Sequence, residues 1–319
     1  MIRKTANLLF ALIFLAGFGI FAYPLVSDQW NAYRQSQLIS TYEQAVAQME
    51  EADYSREWEA ARTFSSAIKQ NDFYGDAFGA EGTELEDMEY WKVLNASEDG
   101  VMGYMTIPKI HVKLAIYHGV GDEVLQTGIG HLEGTGLPIG GEGSHSVLAA
   151  HRGLPSAKLF TDLDQMEPGD KFYIHILDKV FAYEVDQILP MIDKDDLEAL
   201  MCAMQVIPGE DHVTLLTCTP YGVNSHRLLV RGARTEYNGE EELKVQTPVE
   251  SMVEAVQSYY MLYLVLVIAT ILLIGIMAMV FRRAGRKRSR KRNRPEGRIN
   301  APDDKAEHSE ADASDGGSE

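Results

Sequence analysis

Two long stretches of the chain are apolar and uncharged, and each has basic residues on the side of the nearer terminus. The first covers residues 5–26 and follows Arg3 and Lys4, and the second covers residues 255–281 and precedes a basic tract. About 20 apolar helical residues span the hydrocarbon layer of a bilayer. Because basic flanks stay in the cytoplasm, the pattern predicts two transmembrane helices, with both termini cytoplasmic and residues 27–255 extracellular.

Each stretch also has a plainer interpretation. The first begins like a secretory signal peptide, but no convincing small-residue cleavage site precedes Tyr23. A buried core helix is the alternative for the second, although the ten Lys or Arg within residues 282–298 favour a membrane stop signal. Under either interpretation of the first stretch, the middle of the chain is exported. The tail at residues 300–319 is rich in Asp, Glu, Ser and Gly, which predicts disorder.

Between the apolar stretches the pattern first has a helical period. Residues 29–70 contain no Pro or Gly, and apolar residues at helical spacing predict one or two amphipathic helices, as at Tyr33, Leu38, Tyr42, Val46 and Met49. Three glycines then interrupt residues 71–82, which predicts a loop or a lid. A second helical stretch is predicted around residues 84–94.

From Gly103 onwards, short β-type runs alternate with turn residues. They predict strands at Tyr104–Ile107, Lys113–Tyr117, Ser146–Ala150, Lys171–Ile176, Val180–Gln187, His212–Thr217 and Leu228–Gly232. Strands at this spacing, with Gly-rich connections, predict a mainly β fold built as a barrel or a sandwich. Asp178-Lys179 is predicted to form a hairpin turn. The longest interruption, residues 189–209, is predicted to hold a short helix at residues 194–205.

The formal net charge of −18 limits the classes of partner. Because ten Lys or Arg are concentrated in residues 282–298, the remainder of the chain is more acidic still. A folded surface that binds nucleic acid needs a basic face to neutralise phosphates, and here the basic residues form a short linear tract. The composition therefore argues against a general nucleic-acid binder.

The two cysteines, Cys202 and Cys218, lie in the exported part, where a pair usually forms one disulfide. Cys218 nevertheless follows an apolar strand and precedes Pro and Gly, a rigid position that suits a nucleophile. His151 and Arg227 lie beside other predicted strands, and a nearby cation increases the thiolate fraction of a cysteine. Each residue alone also has an ordinary structural explanation, as a packing thiol, a hydrogen-bonded imidazole or a solvated cation.

In combination and in this order, these residues resemble the sortase family. The run Thr-Leu-Leu-Thr-Cys that ends at Cys218, its continuation to Leu228 and the upstream His-Arg-Gly at His151 are similar to the family signature, in the form typical of class C. The similarity extends over residues 103–234. It implies an eight-stranded sortase-type β-barrel with N-terminal helices, in which Cys218 is the nucleophile and His151 the general acid and base. Arg227 would orient the substrate or stabilise the oxyanion.

Class C sortases have a lid loop whose Asp-Pro-aromatic motif occupies the active site, and Asp76-Ala77-Phe78 lies where that motif is expected. Ala77 replaces the Pro, which keeps the acid and the ring but removes the restraint on φ. The resemblance implies an autoinhibitory lid at residues 71–82, with Asp76 near the catalytic cations and Phe78 in the signal-binding groove. The alternative is that Asp76 and Phe78 are ordinary loop residues.

Other candidate residues are assigned to structure. A disulfide to Cys218 would block the nucleophile, so Cys202 is interpreted as a spare or packing thiol. His226 is expected to be structural. Three further histidines have no metal-ligand spacing, namely His118, His131 and His145. No cofactor and no metal are therefore expected.

The resemblance implies a cysteine transpeptidase that cleaves an LPxTG-like sorting signal through a thioacyl intermediate. A pilin lysine amine would resolve the intermediate, so the implied partners are pilin subunits and, downstream, a housekeeping sortase. The alternatives are a housekeeping sortase that anchors proteins to peptidoglycan, a hydrolytic cysteine protease, and a non-catalytic membrane scaffold with this fold.

The predicted segments are the cytoplasmic N-terminus (1–4), a transmembrane helix (5–26), extracellular helices with the lid (27–102), the barrel (103–235), a linker (236–254), a transmembrane helix (255–281) and the cytoplasmic tail (282–319).

Overall fold

The computed structural model describes residues 2–68, 76–78 and 89–239, and the single residues 270 and 275. The chain divides into two compact units, Met1–Ala255 and Val256–Glu319, and the fold given below is that of the first unit. No helix in the described part of the chain is long and apolar enough to cross a membrane. Almost all of the second apolar stretch, most of the linker and the tail lie outside the described residues. The two transmembrane helices therefore stay predictions.

Two helices precede the barrel, in agreement with the helical period of residues 29–70. Helix α1 spans Ile2–Ala47 and continues without interruption from the first apolar stretch, and helix α2 spans Glu51–Ala67. At the start of α2, the Asp53 carboxylate accepts a hydrogen bond from the Glu50 backbone N–H at 3.1 Å, which satisfies one free donor of the helix end. Both helices pack on the barrel and bury Ile39, Tyr42, Val46, Trp58 and Ala61 in the main hydrophobic core.

Within the described residues, eight strands form a closed, mainly β barrel. They are β1 (Val101–Ile107), β2 (Val112–His118), β3 (Ile129–His131), β4 (Ser144–Ala149), β5 (Lys171–Ile176), β6 (Lys179–Asp193), β7 (Asp211–Thr219) and β8 (His226–Thr235). Their order around the barrel is β1-β2-β3-β4-β7-β8-β6-β5. The β2–β3 and β4–β7 pairs are parallel, and the other pairs are antiparallel. The predicted eight-stranded barrel with N-terminal helices is confirmed.

Several elements differ from the sequence pattern because pairing with distant strands decides them. The pattern misses β3, whose three residues are too few to show alternation, and the short helix α3 (Asp122–Thr127). Strand β6 runs into the predicted interruption as far as Asp193, since its end continues to pair with β8. The predicted helix at residues 194–205 is shorter, α4 (Leu197–Ala203). It begins where the Asp196 carboxylate accepts a hydrogen bond from Ala199 N–H at 3.0 Å.

The helix predicted around residues 84–94 is wrong over its described part. Residues 89–94 form consecutive turns, and Leu94 has a left-handed φ of 57°. Tyr90 is buried in this segment, and its hydroxyl lies 2.9 Å from His131 Nδ1. Burial of this ring against the barrel, which spacing alone does not show, decides the local backbone.

The hairpin between β5 and β6 lies one residue earlier than predicted. Leu177, with a φ of 51°, and Asp178 form the turn, because Lys179 already begins β6. The difference moves no other element, since the β5–β6 register runs from Ile176 opposite Lys179 to Lys171 opposite Glu184.

One end of the barrel, called the β7 end below, collects the C-terminal ends of β4 and β7 and the start of β8. The parallel β4–β7 pair and the antiparallel β7–β8 pair bring these three strand ends together. A separate apolar cluster lies beneath them, formed by Ala77, Val120, Leu125, Leu132, Val147, Ala149, Leu200, Met204, Leu216 and Leu229. The β7 end is therefore a packed platform that holds side chains in fixed directions.

Candidate active site

Cys218 and Arg227 lie directly opposite each other on β7 and β8. Directly opposed residues of an antiparallel pair project to the same face of the sheet, so the thiol and the guanidinium are neighbours. Both are buried, with 4% and 3% of their surface exposed. The structure corrects one detail of the sequence interpretation, because β7 continues to Thr219 and Cys218 lies inside the strand rather than just past it.

His151 follows the last residues of β4, the parallel neighbour of β7. Two hydrogen bonds extend the pairing beyond the strand: Ala150 N–H donates to Leu216 O at 3.2 Å, and Thr217 Oγ1 donates to Ala150 O at 2.7 Å. The residue before His151 is thus tied to the residue before Cys218. These bonds bring the three predicted catalytic residues to one end of the barrel.

Arg152 makes a second connection between the two catalytic strands, and the sequence interpretation assigned it no role. Its Nη1 donates to Thr219 Oγ1 at 3.3 Å and its Nε donates to Thr161 O at 3.1 Å, while Nη2 pairs with Asp164. The side chain is only 9% exposed. The residues after His151 and after Cys218 are therefore linked as well. The position of Arg152 within the His-Arg-Gly motif was the available signal.

Asp76 lies against Arg227. Arg227 Nε donates to Asp76 Oδ1 at 2.7 Å, and Nη2 pairs with Oδ2 of the same carboxylate. The remaining Nη1 donates to Asn224 O at 3.1 Å and His226 O at 3.0 Å. The ion pair is bidentate and nearly inaccessible to water, with side-chain exposures of 4% for Arg227 and 12% for Asp76. In this arrangement every nitrogen of the guanidinium already has a hydrogen-bond partner.

Phe78 covers the same end of the site. Its ring centroid lies 5.3 Å from that of His151, and Arg227 Cζ lies 5.1 Å from the Phe78 ring centroid. Ala77 is buried in the apolar cluster beneath, against which Phe78 also packs. The other residues of the predicted lid, 71–75 and 79–82, lie outside the described residues. The three described residues occupy the space around His151 and Arg227.

The surroundings shift the acidity of the thiol and the imidazole in opposite directions. Burial raises the pKa of Cys218 to about 11; Arg227 lowers it and Asp76 raises it. Burial lowers the pKa of His151, with Asp122 opposing the shift and Arg227 adding to it. At neutral pH both groups are therefore uncharged in this arrangement. Cys218 is therefore held in its thiol form, which is less reactive than the thiolate.

The remaining candidate residues have structural surroundings. Both cysteines are free, so the disulfide alternative is wrong, and Cys202 is exposed on α4. His226 is only part-buried, and its Nδ1 lies 2.8 Å from Ser225 Oγ. The three histidines without metal-ligand spacing are buried and hydrogen-bonded: His118 to backbone carbonyls, His131 to Tyr90 and Gly136, and His145 to Thr214 and Gln205.

The chain matches the family model of the sortase domain over residues 105–235. It is similar to the crystal structure of sortase C1 from Streptococcus agalactiae, with 44% identity and a TM-score of 0.56, over 63% of this chain and 100% of that one. It is also similar to sortase C of Streptococcus pneumoniae, with 40% identity and a TM-score of 0.54, over 63% of this chain and 97% of that one.

Curated relatives are more distant. Sortase SrtE1 of Streptomyces coelicolor is 30% identical over 139 residues, which is 41% of this chain and 39% of that protein. Sortase A of Streptococcus agalactiae is 29% identical over 143 residues, 44% of this chain and 55% of that protein. The chain thus spans about half the length of these relatives or less. Because it covers all of the crystallised sortase C1 chain at 44% identity and carries the sortase domain in its barrel, this chain belongs to the sortase family, whose members are cysteine transpeptidases.

Proposed function

We propose that this chain is a pilus-type transpeptidase that joins a sorting signal to a pilin lysine through Cys218. The observation that carries the proposal is the convergence of Cys218, His151 and Arg227 at the β7 end, with an acid and an aromatic ring over them. The similar sortase C of Streptococcus pneumoniae has a pilin substrate specificity, and a similar sortase C of Group B Streptococcus is pilus-related. The transfer to a pilin lysine is proposed for this chain on that likeness.

In the proposed first step, the Cys218 sulfur attacks the Thr–Gly carbonyl carbon of an LPxTG-like signal. His151 accepts the thiol proton as the C–S bond forms, and it gives that proton to the departing amine as the C–N bond breaks. Arg227 donates hydrogen bonds to the developing oxyanion or to the signal backbone, and loss of one such donor costs about 3 kcal/mol of transition-state stabilisation. The product is a thioester that stores the energy of the cleaved bond.

In the second step a lysine amine of the next pilin attacks the thioester carbonyl. The new C–N bond forms, the amine proton passes to His151, and the Cys218 thiolate leaves. No nucleotide is consumed, because one amide bond replaces another. An exported enzyme can therefore carry out this transfer where no triphosphate is available.

We propose that the Asp76-Phe78 arrangement is a closed, autoinhibited state. Asp76 forms an ion pair with the Arg227 guanidinium, which the substrate needs. It also raises the pKa of the Cys218 thiol, which has to ionise. Phe78 fills the apolar space beside His151. A substrate must displace both side chains before the thiol can attack, so the closed enzyme should react slowly.

The proposal is tested by mass spectrometry of the enzyme after incubation with an LPxTG peptide. A thioacyl adduct on Cys218 is expected, and Cys218→Ala should form none while keeping its fold, because a methyl group replaces the thiol at little loss of volume. Cys202→Ala is the matched control and should form the adduct normally. Adduct formation in Cys218→Ala, or its loss only in Cys202→Ala, would overturn the assignment.

A second measurement separates transfer from hydrolysis. The loaded enzyme is divided between buffer and buffer with a pilin-derived lysine peptide. The transpeptidase releases a peptide joined through the lysine amine, whereas a hydrolytic protease releases the free acid in both samples. An absence of any adduct would favour the non-catalytic scaffold.

We also propose that the chain is anchored in the cell membrane, with the barrel outside and both termini in the cytoplasm. The two apolar stretches and their basic flanks support this localisation.

A further inference from the structure

Hydrogen bonds hold helix α1 against the loop that follows His151. The Lys158 backbone N–H donates to Asp28 Oδ1 at 2.7 Å, and Ser27 Oγ, which also contacts a carbonyl of its own helix, lies 2.9 Å from Pro155 O. Ser27 and Asp28 directly follow the first apolar stretch. The first turn beyond this stretch is therefore in contact with the catalytic loop at the β7 end.

The same helix is fastened near the opposite end of the barrel. Tyr42 Oη donates to Met102 O at 3.2 Å and accepts a hydrogen bond from Leu177 N–H at 2.7 Å. Leu177 lies in the β5–β6 turn, at the end of β6 remote from Asp193 and the active site. The rise from Ser27 to Tyr42 is about 22 Å, comparable to the length of a strand of six or seven residues. Helix α1 thus runs along the barrel wall, and its earlier residues project beyond the β7 end.

The projecting part of α1 is apolar and exposed. Ile13, Leu15, Ile20 and Val26 expose 60%, 62%, 76% and 65% of their surface. A helix that is apolar all round needs an apolar medium on every side, which a groove on one protein partner does not provide. Farther along, at the level of the barrel, Trp30 and Tyr33 are exposed with ring centroids 5.9 Å apart. Exposed Trp and Tyr favour the headgroup layer of a bilayer.

We propose that the β7 end of the barrel, with Cys218 and His151, faces the surface of a phospholipid bilayer and lies at the level of its headgroups. The inference rests on the proposed membrane anchorage and adds the orientation of the active site. Because α1 is one helix fastened at both ends of the barrel, the direction in which it enters the bilayer fixes the direction in which the site points. The transpeptidase would then act on sorting signals presented close to the membrane.

The orientation is tested with the full chain in phospholipid nanodiscs that contain headgroup-nitroxide lipids. In a Cys202→Ser, Cys218→Ala background, a fluorophore is attached through Pro155→Cys at the β7 end or Glu210→Cys at the opposite end, where β7 begins. Both positions are exposed. We expect the label at position 155 to be quenched by the nitroxide lipids several-fold more than the label at position 210, whereas aqueous iodide, which the headgroup layer partly excludes, should quench the label at position 155 no more than the label at position 210. Equal or reversed lipid quenching would overturn the proposal.

A third label, at Ile20→Cys, reports insertion of α1 through quenching by acyl-chain nitroxide lipids. Quenching of the label at position 20, together with stronger headgroup quenching at position 155 than at position 210, supports the orientation. If the label at position 20 is not quenched, α1 is not inserted in the bilayer and the proposal is overturned. All three readouts use a chain that lacks the nucleophile. A negative quenching result would therefore not count against the proposed transpeptidase activity. A chain without transpeptidase activity would still give the same quenching.

The fastening itself is tested by hydrogen exchange at the Lys158 amide in Asp28→Ala and Asp28→Asn. Alanine removes the acceptor of the Lys158 N–H, so exchange should become at least about tenfold faster. Asparagine keeps the side-chain oxygen and should preserve most of the protection. If Asp28→Ala exchanges no faster than the unsubstituted chain, α1 does not hold the catalytic loop.

Discussion

Cys218 illustrates how neighbours set the chemistry of a single residue. Its position in β7 buries the thiol, which disfavours the charged thiolate and raises its pKa to about 11. Arg227 opposes this shift of the pKa from the facing strand, and Asp76 adds to it. Cys202, by contrast, is exposed on the surface of α4.

The pKa of Cys218 leads to a prediction at the residue scale. The thiolate is the reactive form, so the rate of alkylation by a small reagent should keep rising with pH up to about pH 11. Asp76→Asn removes the charge that raises this pKa. The midpoint of the curve of alkylation rate against pH should therefore move to lower pH. Glu184→Gln, an exposed substitution on β6, is the control and should leave the midpoint unchanged. An unchanged midpoint in Asp76→Asn would show that the lid acid does not act on the thiol.

At the scale of elements, two side chains of different kinds hold residues 76–78, the segment that we propose to be a lid. Asp76 forms the bidentate pair with Arg227, and Phe78 packs against His151 and the apolar cluster. Ala77 is buried but leaves φ free where class C lids carry Pro. We expect the closed state to be favoured by only a few kcal/mol, with a minor open population.

The lid prediction concerns access to the nucleophile. Replacing Asp76 and Phe78 together by Ala should speed labelling of Cys218 by a bulky thiol reagent. The largest acceleration expected is the inverse of the fraction of unsubstituted molecules that are open. Formation of the thioester with a sorting peptide should become faster as well. Labelling of the exposed Cys202 in the same sample is an internal control and should not change. A double variant that labels Cys218 no faster than the unsubstituted chain would show that the segment is not a lid.

The connection between β7 and the loop after β4 leads to a second prediction at this scale. Arg152→Ala removes the link to Thr219 and Thr161, so the relative position of thiol and imidazole should loosen. A misplacement near 1 Å costs about 100-fold in rate, and we expect a loss of about 10- to 100-fold in kcat with a smaller change in KM. Arg231→Ala, which breaks the ion pair with Asp186 on the barrel wall, is the matched control. A similar loss in both variants would indicate a general effect on folding.

At the scale of the whole molecule, the prediction concerns topology. We expect both termini in the cytoplasm and residues 27–255 outside, because both apolar stretches have their basic residues on the terminal side. External protease added to intact cells should remove the barrel and spare a tag placed after Glu319. The same tag should be digested once the membrane is permeabilised. Digestion of the tag in intact cells would reverse the orientation of the C-terminal stretch.

The sequence alone was sufficient for features that are local along the chain. The β-type runs from Gly103 predict a barrel or a sandwich because alternation within a few residues reports a half-buried strand, and the family resemblance implies the barrel. The motif around Cys218 and the upstream His-Arg-Gly at His151 are also local, and their resemblance to the sortase signature predicts a nucleophile and its general acid and base. The helical period before the barrel is also local, and it predicts α1 and α2.

Only the tertiary structure decided the contacts between residues that are far apart in the chain. The family resemblance places Asp76 near Arg227 or His151, and only the structure shows that its partner is Arg227, 151 positions away. The link from Arg152 to Thr219 and the extension of β6 to Asp193 likewise arise from neighbours that no local pattern reports. The contact of Asp28 with the loop after His151 spans 130 positions. Such contacts form when burial of the shared core brings the elements together, so spacing along the sequence does not contain them.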